Sequence, residues 1–346
     1  MERKSFFFLE KLVNFHLCRY TINNNMYQRY ITLVVFGGDI MTHIFIVNPY
    51  AGNKTFADGL REKLKNIPNF NYFVFNTRCA GNETELVKRI LHIFENEELR
   101  FYCCGGSGTM RNILNGLDEA GAIDHTEVAF YPCGLTNDFL KVFGKDAFLF
   151  SDIDSLIHGD VILVDYIKTN HSIALNTVSF GLDTNVLTKL DDYRSFRLLG
   201  SQIPYTFALM YSMFISKALQ YEFTLDGVSG EAYIQEFCIG NGPILGGNLH
   251  FTRSTDPTDG IGSYCCVKKT SIFKRFSGMK SLQTNNLDKL ETIATLDTCS
   301  RFHIKRKDGL PLTYNCDGNL IKNVEEIDGF FVKKGLSFVV PKGVTL

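Results

Sequence analysis

The sequence lacks the features that would assign it quickly to a functional class. None of its ten cysteines stands in a C-x-x-C spacing and its eight histidines show no paired ligand spacing, so a zinc site is not expected. Lys and Arg number 36 against 37 for Asp and Glu, and this net charge of −1 gives no indication of nucleic-acid binding. Cysteines on predicted core strands without disulfide-like spacing indicate a reducing compartment, so we expect a cytoplasmic protein.

Long apolar runs are also absent. No run reaches the roughly 20 residues that a membrane-spanning helix needs. The best candidate, residues 203–215, contains Pro204 and Ser212 and predicts a buried helix. Internal repeats and low-complexity segments are missing as well. With 346 residues, 45% of them hydrophobic, the chain is long enough for two packed domains.

Residues 1–41 differ from the rest, and we interpret them as an atypical N-terminal extension. The apolar residues 6–8 are flanked by acidic residues and followed by no small-residue cleavage site, so a signal peptide fits poorly. Met41 directly precedes a predicted strand, and residues 37–40 fit a purine-rich ribosome-binding site. We therefore hypothesise that translation of the native protein begins at Met41.

From Thr42 onward, short apolar strands alternate with amphipathic helices. This alternation predicts a parallel sheet that is covered by helices on both faces. The predicted strands are residues 43–48, 72–76, 100–104 and 127–132. The predicted helices are residues 56–66, 83–95, 109–117 and 137–142.

A turn rich in polar or small residues follows each of these strands. Because the carboxyl ends of parallel strands meet at one edge of a sheet, four such turns predict a binding site there. The central one is Gly105-Gly106-Ser107-Gly108-Thr109, between an apolar strand and a helix-like segment. Glycines let the backbone approach a phosphate, and the free N–H groups of a helix start point at it. A tight turn without a ligand is the alternative interpretation.

Near Gly159 the pattern changes to that of a mostly antiparallel β domain. One strong helix, over residues 200–217, is predicted there. The final run, residues 330–341, is predicted to return to the first sheet, which would interleave the domains and put the active site in their cleft. The predicted strands of this half are residues 161–166, 172–179, 221–225, 232–239, 262–267, 301–307 and 312–314.

The turns and several later segments carry motifs in a fixed order. They are Asn48-Pro49-x-Ala51-Gly52, Gly105-Gly106-Ser107-Gly108-Thr109, Pro132-x-Gly134-Leu135-x-Asn137-Asp138, Asn176 with Gly181 and Asp183, Asn241-Gly242 with Gly246-Gly247, Pro257 with Asp259-Gly260, and Asp317-Gly318-Asn319. From about Met41 to the C-terminus, this order resembles the diacylglycerol kinase catalytic-domain family. The bacterial soluble lipid kinases are the most similar type, and sphingosine and ceramide kinases are relatives.

The resemblance implies an α/β fold with two domains. A three-layer, doubly wound nucleotide-binding domain would comprise residues 42–158 together with residues 325–346. A mostly antiparallel β-sandwich that receives the lipid would comprise residues 159–324.

By the same resemblance, ATP and Mg²⁺ are the expected cofactors. Asp317 is implied as the general base that takes the lipid hydroxyl proton. Mg²⁺ is implied in a water-bridged network at Asp138 and Asp165, and a second, structural Mg²⁺ at Asp259 with a nearby backbone carbonyl. The residues implied to bind ATP are Asn48, Thr77, Gly105, Gly106, Ser107, Thr109, Gly134, Asn137 and Asp138.

Each acidic residue also has a plainer interpretation. Asp138 can be a charge at a helix N-terminus, and Asp165 a carboxylate at a strand end. Asp259 and Asp317 each precede a glycine and can be ordinary turn residues. The shared order of the motifs favours the functional interpretation.

The sequence departs from the family pattern at four positions. Ser107 stands where the family has Asp, Asn112 where it usually has Glu, Leu135 where it has Thr, and Asn319 where it has the last Glu. Neutral oxygens bind Mg²⁺ less strongly than carboxylates and cannot act as bases near neutral pH. Ser107 can still donate a hydrogen bond to a phosphate. These changes suit a site that holds nucleotide but turns over slowly or not at all.

Three functions are compatible with this pattern. The first is an ATP-dependent kinase that phosphorylates a hydroxyl of a membrane lipid such as diacylglycerol. The second is a catalytically impaired family member that binds nucleotide or lipid as a regulator. The third is a kinase of a soluble substrate, such as an NAD kinase or a phosphofructokinase, which the first and third motifs disfavour.

A membrane lipid as substrate implies contact with a bilayer, at the inner face of the membrane. Residues 268–280 contain no acidic residue and predict an interfacial helix whose apolar strip lies beside positive charges. A surface helix packed on the β domain is the competing interpretation. No nucleic-acid partner is expected, and a homodimer is compatible with the sequence. The basic and apolar residues concerned are Lys268, Lys269, Lys274, Arg275, Lys280, Ile272, Phe273, Phe276 and Met279.

Overall fold

A computed structural model describes residues 18–21, 30–33, 41–51, 56–67, 71–95, 97–134, 136–193, 202–253 and 255–346. The strands in these ranges are β1 (Cys18–Thr21), β2 (Tyr30–Leu33), β3 (Met41–Val47), β4 (Asn71–Asn76), β5 (Glu98–Gly105), β6 (Glu127–Pro132), β7 (Asp160–Thr169), β8 (Ile173–Ala174), β9 (Thr177–Gly181), β10 (Leu219–Leu225), β11 (Val228–Gly240), β12 (Ile244–Leu245), β13 (Leu249–His250), β14 (Gly262–Lys268), β15 (Ala294–Cys299), β16 (Arg301–Arg306), β17 (Leu312–Cys316), β18 (Asn319–Val324) and β19 (Glu326–Val340). The helices are α1 (Phe56–Lys65), α2 (Asn82–Ile93), α3 (Ser107–Glu119), α4 (Ile153–Ile157), α5 (Leu182–Tyr193), α6 (Gln202–Ile215), α7 (Ile272–Gln283) and α8 (Leu287–Leu290).

The first half of the described chain is the predicted α/β unit. Strands β4, β3, β5 and β6 lie side by side in that order, and all three pairings are parallel. Helices α1, α2 and α3 connect them in turn. Strands β3 and β5 are buried along almost their whole length because helices cover the sheet. The predicted α/β fold class and its four parallel strands are confirmed.

The second half is mostly antiparallel, as predicted, and β19 joins it to the first. The early part of β19 pairs antiparallel with β16, and its later part pairs parallel with β6 and antiparallel with β7. One continuous hydrogen-bonded sheet therefore runs through both halves, in the order β18-β17-β9-β11-β10-β16-β19-β6-β5-β3-β4. The return of the final run to the first sheet is confirmed. The domain boundaries stay a prediction.

Three predictions about helices are wrong. Residues 138–151 form 3-10 turns rather than the α-helix predicted over residues 137–142; Asn137 precedes them with a φ of 45°, and Gly144, with a φ of 54°, divides them into two stretches. The second half contains α5 and α8 in addition to the helix predicted over residues 200–217 and the one predicted within residues 268–280. The first of these two, α6, is buried on one side only: Ala208 and Met213 lie in a buried cluster, whereas Phe214 is 64% exposed and Met210, Tyr211 and Ile215 also face solvent. Residues 200 and 201 of the predicted span lie outside the described residues.

The predicted strand over residues 172–179 is divided into β8 and β9. At the break, the carboxylate of Asp317 accepts hydrogen bonds from the backbone amides of Leu175 (2.6 Å), Asn176 (3.1 Å) and Thr177 (2.8 Å). Because each of these amides already donates to Asp317, none of them is available for a hydrogen bond to a neighbouring strand. A single buried side chain thus replaces a strand as hydrogen-bond partner.

Asp317 should make stability depend on pH. Burial raises the pKa of Asp317 to about 6, although the three amides and Arg111 oppose this shift. A carboxyl group whose pKa is higher in the folded than in the unfolded state contributes less to the free energy of unfolding as the pH rises. For Asp317 this loss falls between about pH 4 and about pH 6 and amounts to at most about 3 kcal/mol. Asp317→Asn removes this titration and also leaves amide donors facing its Nδ2. We therefore expect the stability gap between wild type and Asp317→Asn, measured by urea unfolding, to narrow with rising pH. A gap that stays constant would contradict the shifted pKa.

Candidate active site

The carboxyl ends of the four parallel strands form one edge of the sheet. Val47 is in register with Asn76 and Cys104, and Gly105 with Pro132, so the turns after the strands are neighbours. The amide of Asn48 donates to Cys104 O at 3.0 Å, and that of Thr77 to Val47 O at 2.9 Å. Side chains meet at this edge too, because Asn48 Nδ2 donates to Thr109 Oγ1 at 3.1 Å.

Two glycine turns at this edge approach each other more closely than side chains would allow. A Cβ atom built on Gly134 would lie 2.5 Å from Gly106 Cα, and one built on Gly105 would lie 2.5 Å from Thr109 Oγ1. Helix α3 begins directly after Gly106, which has no side-chain cap, so the first amides of the helix have no capping partner. Exposed backbone donors beside a surface without Cβ atoms are the features of a phosphate cradle.

Asn137 and Asp138 line the same cradle from the other side. Asn137 Nδ2 donates to Gly134 O at 3.0 Å, while its Oδ1 is buried and has no hydrogen-bond partner. Asp138 is buried, accepts from Gly247 N at 3.0 Å and forms an ion pair with Lys141 at 2.7 Å. Because Gly247 belongs to the β half, Asp138 connects the two halves across the cleft.

Asp165 lies in a different hydrogen-bond network from Asp138. Its two carboxylate oxygens accept from Lys334 N and Gly260 N, each at 2.6 Å. Burial raises the pKa of Asp165, and the nearby Asp259 carboxylate adds to this rise while the two amides oppose it. Asp259 itself accepts from Ile261 N at 2.8 Å.

The predicted Mg²⁺ ligands thus divide into two sets. Asp165 and Asp259 are neighbours, whereas Asp138 is engaged with Lys141 and Gly247. The described residues contain no group of three or more His, Cys, Asp or Glu side chains arranged around one metal position. Carboxylates already bonded to amides keep free lone pairs for a cation. The assignment of Mg²⁺ to these aspartates stays a prediction.

Two of the departures from the family pattern meet at the start of α3. A Cβ atom built on Gly108 would lie 2.9 Å from Asn319 Nδ2, so Asn319 of β18 reaches the first turn of this helix. Ser107 Oγ and Asn319 Nδ2 are both buried and have no hydrogen-bond partner. Buried polar atoms without partners are costly unless a ligand or water satisfies them. They provide neutral donors where the family has two carboxylates.

Arg111 and Glu83 belong to this site and had not been predicted. Asn112 Nδ2 donates to Glu83 Oε2 at 3.0 Å, and Glu83 is only 1% exposed. Arg111 Nε donates to Ser172 Oγ at 2.9 Å, and its charge lowers the pKa of Asp317. A carboxylate is therefore present beside position 112, but it comes from α2. Since this contact joins two helices, no local motif could have indicated it.

The asparagines of the later motifs act as cross-links between segments. Asn241 Nδ2 donates to Asp165 O at 2.6 Å and to Leu175 O at 3.1 Å. Asn176 Nδ2 donates to Ile244 O at 3.0 Å. These bonds hold the chain around Asp165 and Asp317 in fixed positions.

Part of the chain is similar to a known family of proteins. Residues 42–169 match the sequence model of the diacylglycerol kinase catalytic domain. The chain is 23% identical over 302 residues to YtlR of Bacillus subtilis (strain 168), provisionally named a lipid kinase, and the match covers 81% of this chain and 94% of that protein. It is 25% identical over 205 residues to a YegS-like protein of Shewanella frigidimarina (strain NCIMB 400), also provisionally named a lipid kinase. That match covers 57% of this chain and 64% of the relative, which is less than two thirds of the relative's length.

A solved structure shows the same fold. A protein of Bacillus anthracis str. Sterne, provisionally named a diacylglycerol kinase, superposes with a TM-score of 0.63 at 20% identity, over 86% of this chain and 96% of the other. Residues 42–169 are therefore similar to the diacylglycerol kinase catalytic domain family, and the fold of the chain is similar to that of the Bacillus protein.

Proposed function

We propose that the chain is an ATP-dependent lipid kinase that phosphorylates a hydroxyl of a membrane lipid such as diacylglycerol. The cradle formed by Gly106, Gly134 and the start of α3 carries this proposal. It offers backbone donors and the buried, unpartnered Ser107 Oγ to an anion. The names of the relatives support a lipid as the acceptor.

The groups of the site suit phosphoryl transfer, which depends on positioning and on charge stabilisation. In the proposed reaction, the lipid hydroxyl oxygen bonds to the γ-phosphorus while the bond to the ADP oxygen breaks. The hydroxyl proton goes to Asp317, whose carboxylate is ionised above a pKa of about 6. Mg²⁺, when bound, would neutralise phosphate charge, with Asp138, Asp165 and Asp259 as the proposed ligands. Asn48 and Thr77 would contact the nucleotide from the adjacent turns.

Gly106→Val provides the first test, which concerns the cradle. A Cβ at position 106 would lie 3.2 Å from Gly134 Cα, so the branched side chain should fill the cradle and weaken ATP binding about tenfold or more, as measured by calorimetry. Gly59→Val is the matched control, because a Cβ there meets no atom within 4 Å. Unchanged ATP affinity in a folded Gly106→Val variant would reject the cradle.

The activity itself is tested with labelled ATP, Mg²⁺ and a mixed lipid extract. The wild type should transfer label from ATP to a lipid. ATP binding by the wild type without lipid labelling would favour the catalytically impaired alternative.

The second test restores the missing charges. Ser107→Asp, alone or with Asn319→Glu, puts a carboxylate at the start of α3, where it can attract Mg²⁺. We expect turnover to rise about tenfold at low Mg²⁺ and less at saturating Mg²⁺. Ser151→Asp, on the exposed end of the 3-10 segment, controls for a general charge effect. Turnover that is flat across a Mg²⁺ series in both variants would mean that these carboxylates do not limit the reaction.

We further propose that α6 and α7 form the surface that contacts the membrane. Among the described residues, no helix has both the length and the apolar character needed to cross a bilayer. Phe214 and Phe273 are 64% and 83% exposed, next to the exposed Lys217 and Lys274. Residues 202–218 and 268–284 contain no acidic residue. An apolar face surrounded by cations fits an anionic lipid surface.

The predicted strip on α7 is divided between two roles. Phe273 faces solvent, whereas Phe276 and Met279 pack against the cluster formed by α5 and α6. Arg275 Nη1 donates to Met213 O at 2.9 Å and Ser216 O at 2.8 Å, so its guanidinium holds α7 to α6. A charge reversal at Arg275 would disturb this contact, and it is unsuitable as a test of membrane binding.

Sedimentation with anionic vesicles tests the surface. Lys217→Glu with Lys274→Glu should lower binding about tenfold or more at low salt, since each lysine near an anionic surface contributes about 1 kcal/mol. Phe273→Ser should weaken binding at all salt concentrations. Phe148→Ser is the matched control, because Phe148 is 71% exposed on the α/β half. Binding that is insensitive to salt and to all these changes would assign the membrane contact to another face.

A further inference from the structure

An apolar cavity lies beneath α6 and α7, outside the phosphate cradle. Its volume is about 50 Å³, and it is bounded by α5, α6 and α7 together with β11 and β14. The helices contribute Leu182, Val186, Leu209, Met279 and Leu282. Since a water molecule needs roughly 10–15 Å³ on a comparable measure, the cavity admits a short segment of a ligand rather than a whole lipid.

Glu236 and Asp183 are the two acidic side chains on this mostly apolar wall. The pairing of β11 with β14 shifts register between Ile234 and Glu236, which makes a β-bulge. Ile234, Phe237 and Ile239 all face the other core, so the bulge changes the alternation and leaves Glu236 on the cavity side with Cys238. Bulges commonly redirect a side chain next to a functional site.

The two oxygens of Glu236 have different surroundings. Oε2 accepts from the amide of Asp183 at 2.9 Å. Oε1 is buried and has no hydrogen-bond partner among the described residues. A buried polar atom without a partner costs free energy unless a ligand, a water or an ion satisfies it, so Oε1 is available to a polar group that enters the cavity.

Asp183, which also lines the cavity, has two hydrogen-bond donors on one of its carboxylate oxygens. Its Oδ2 accepts from Ser179 Oγ at 2.6 Å and from Asn315 Nδ2 at 2.7 Å. Burial raises the pKa of Glu236 well above its usual range and the neighbouring Asp183 carboxylate raises it further, while the backbone amides of Asp183 and Leu182 oppose the rise. A protonated Glu236 carries an O–H donor, and Oε1 is the oxygen left to carry it.

We propose that Glu236 binds an acyl ester carbonyl of the lipid substrate, with the adjoining start of the acyl chain in the apolar cavity. This inference rests on the proposed function and adds a specificity-determining residue to it. The Oε1–H of Glu236 donates to the carbonyl oxygen, while Oε2 keeps its bond from the Asp183 amide. The apolar wall accepts methylene groups, and the single donor selects an ester over an ether linkage.

Binding of two matched lipids without ATP tests the proposal. The probes are dioctanoylglycerol, an ester, and dioctylglycerol, its ether analogue without carbonyl groups, each titrated in the same detergent micelles. We expect the wild type to bind the ester about fivefold to tenfold more tightly, the effect of one buried neutral hydrogen bond. Glu236→Gln retains a donor and should keep this ratio. Glu236→Leu should bring the ratio to about one, with ether binding unchanged or improved.

Glu231→Leu is the control on the same strand, because Glu231 is exposed and pairs with Lys307 at the surface. It should keep the ester preference. Equal ratios in wild type, Glu236→Gln and Glu236→Leu would overturn the proposal, and so would a wild type that binds neither lipid. A wild type that prefers the ester through Glu236 but transfers no phosphate would retain this site and reject the kinase. Phosphorylation of both lipids with equal affinity would retain the kinase and reject the role of Glu236.

Discussion

The carboxylate of Asp165 holds the two halves of the molecule together at the point where β19 passes from one to the other. The pairing of β19 with β7 shifts register between Val332 and Leu336, and inside this irregularity the amide of Lys334 donates to Asp165. The second oxygen of Asp165 accepts from Gly260, and its backbone bonds to Pro257 O and Asn241 Nδ2. One buried side chain thus accepts hydrogen bonds both from β19, where this strand passes between the halves, and from a loop of the β half. The cleft geometry depends on this arrangement, because the cradle belongs to one half and Asn319 to the other.

The buried carboxylates of the site are mostly bonded to backbone amides. Asp317 accepts from three amides and Asp165 from two, while Asp138 accepts from Gly247 N and pairs with Lys141. An amide-bound carboxylate fixes the backbone in place, and it does so without demanding a metal. At the two positions where a carboxylate would lie free at the start of α3, the chain has Ser107 and Asn319 instead. The negative charge of this site therefore lies on side chains that also support the fold, and neutral groups stand at the start of α3.

Much of the α/β half could be predicted from the sequence because its information is local. The strand ends, the glycine turns at the sheet edge and the return of the final run follow from apolar runs and glycine spacing, and the structure confirms these elements, while phosphate binding by the turns stays a prediction. The division of the strand at residues 175–177 could not be predicted, because it depends on Asp317, about 140 positions further along the chain. The same holds for the contact of Asn112 with Glu83 across two helices. The outward face of α6 was missed because an apolar helix has the same pattern in a core and on an interaction surface.

Of the site residues, the glycines and asparagines at the sheet edge lie together as expected, and the roles of the aspartates remain predictions. Motif order indicates which residues share a region, but it does not say which hydrogen bonds each side chain makes. Glu236 illustrates this limit, since its direction depends on a bulge that only the pairing with β14 creates. In the sequence it is one acidic residue in an apolar strand.

Helices α6 and α7 have apolar side chains on both sides. Leu209 and Met279 face the cavity, whereas Phe214 and Phe273 face outward. Exposure of apolar side chains to water forfeits the hydrophobic stabilisation that burial would give. If the outer face meets a bilayer, this cost disappears and only these two helices separate the hydrocarbon from the cavity. An acyl chain could then enter the protein between apolar surfaces, and its first polar group would meet Glu236. On this view, the same two helices supply the membrane contact and cover the cavity in which the lipid is selected.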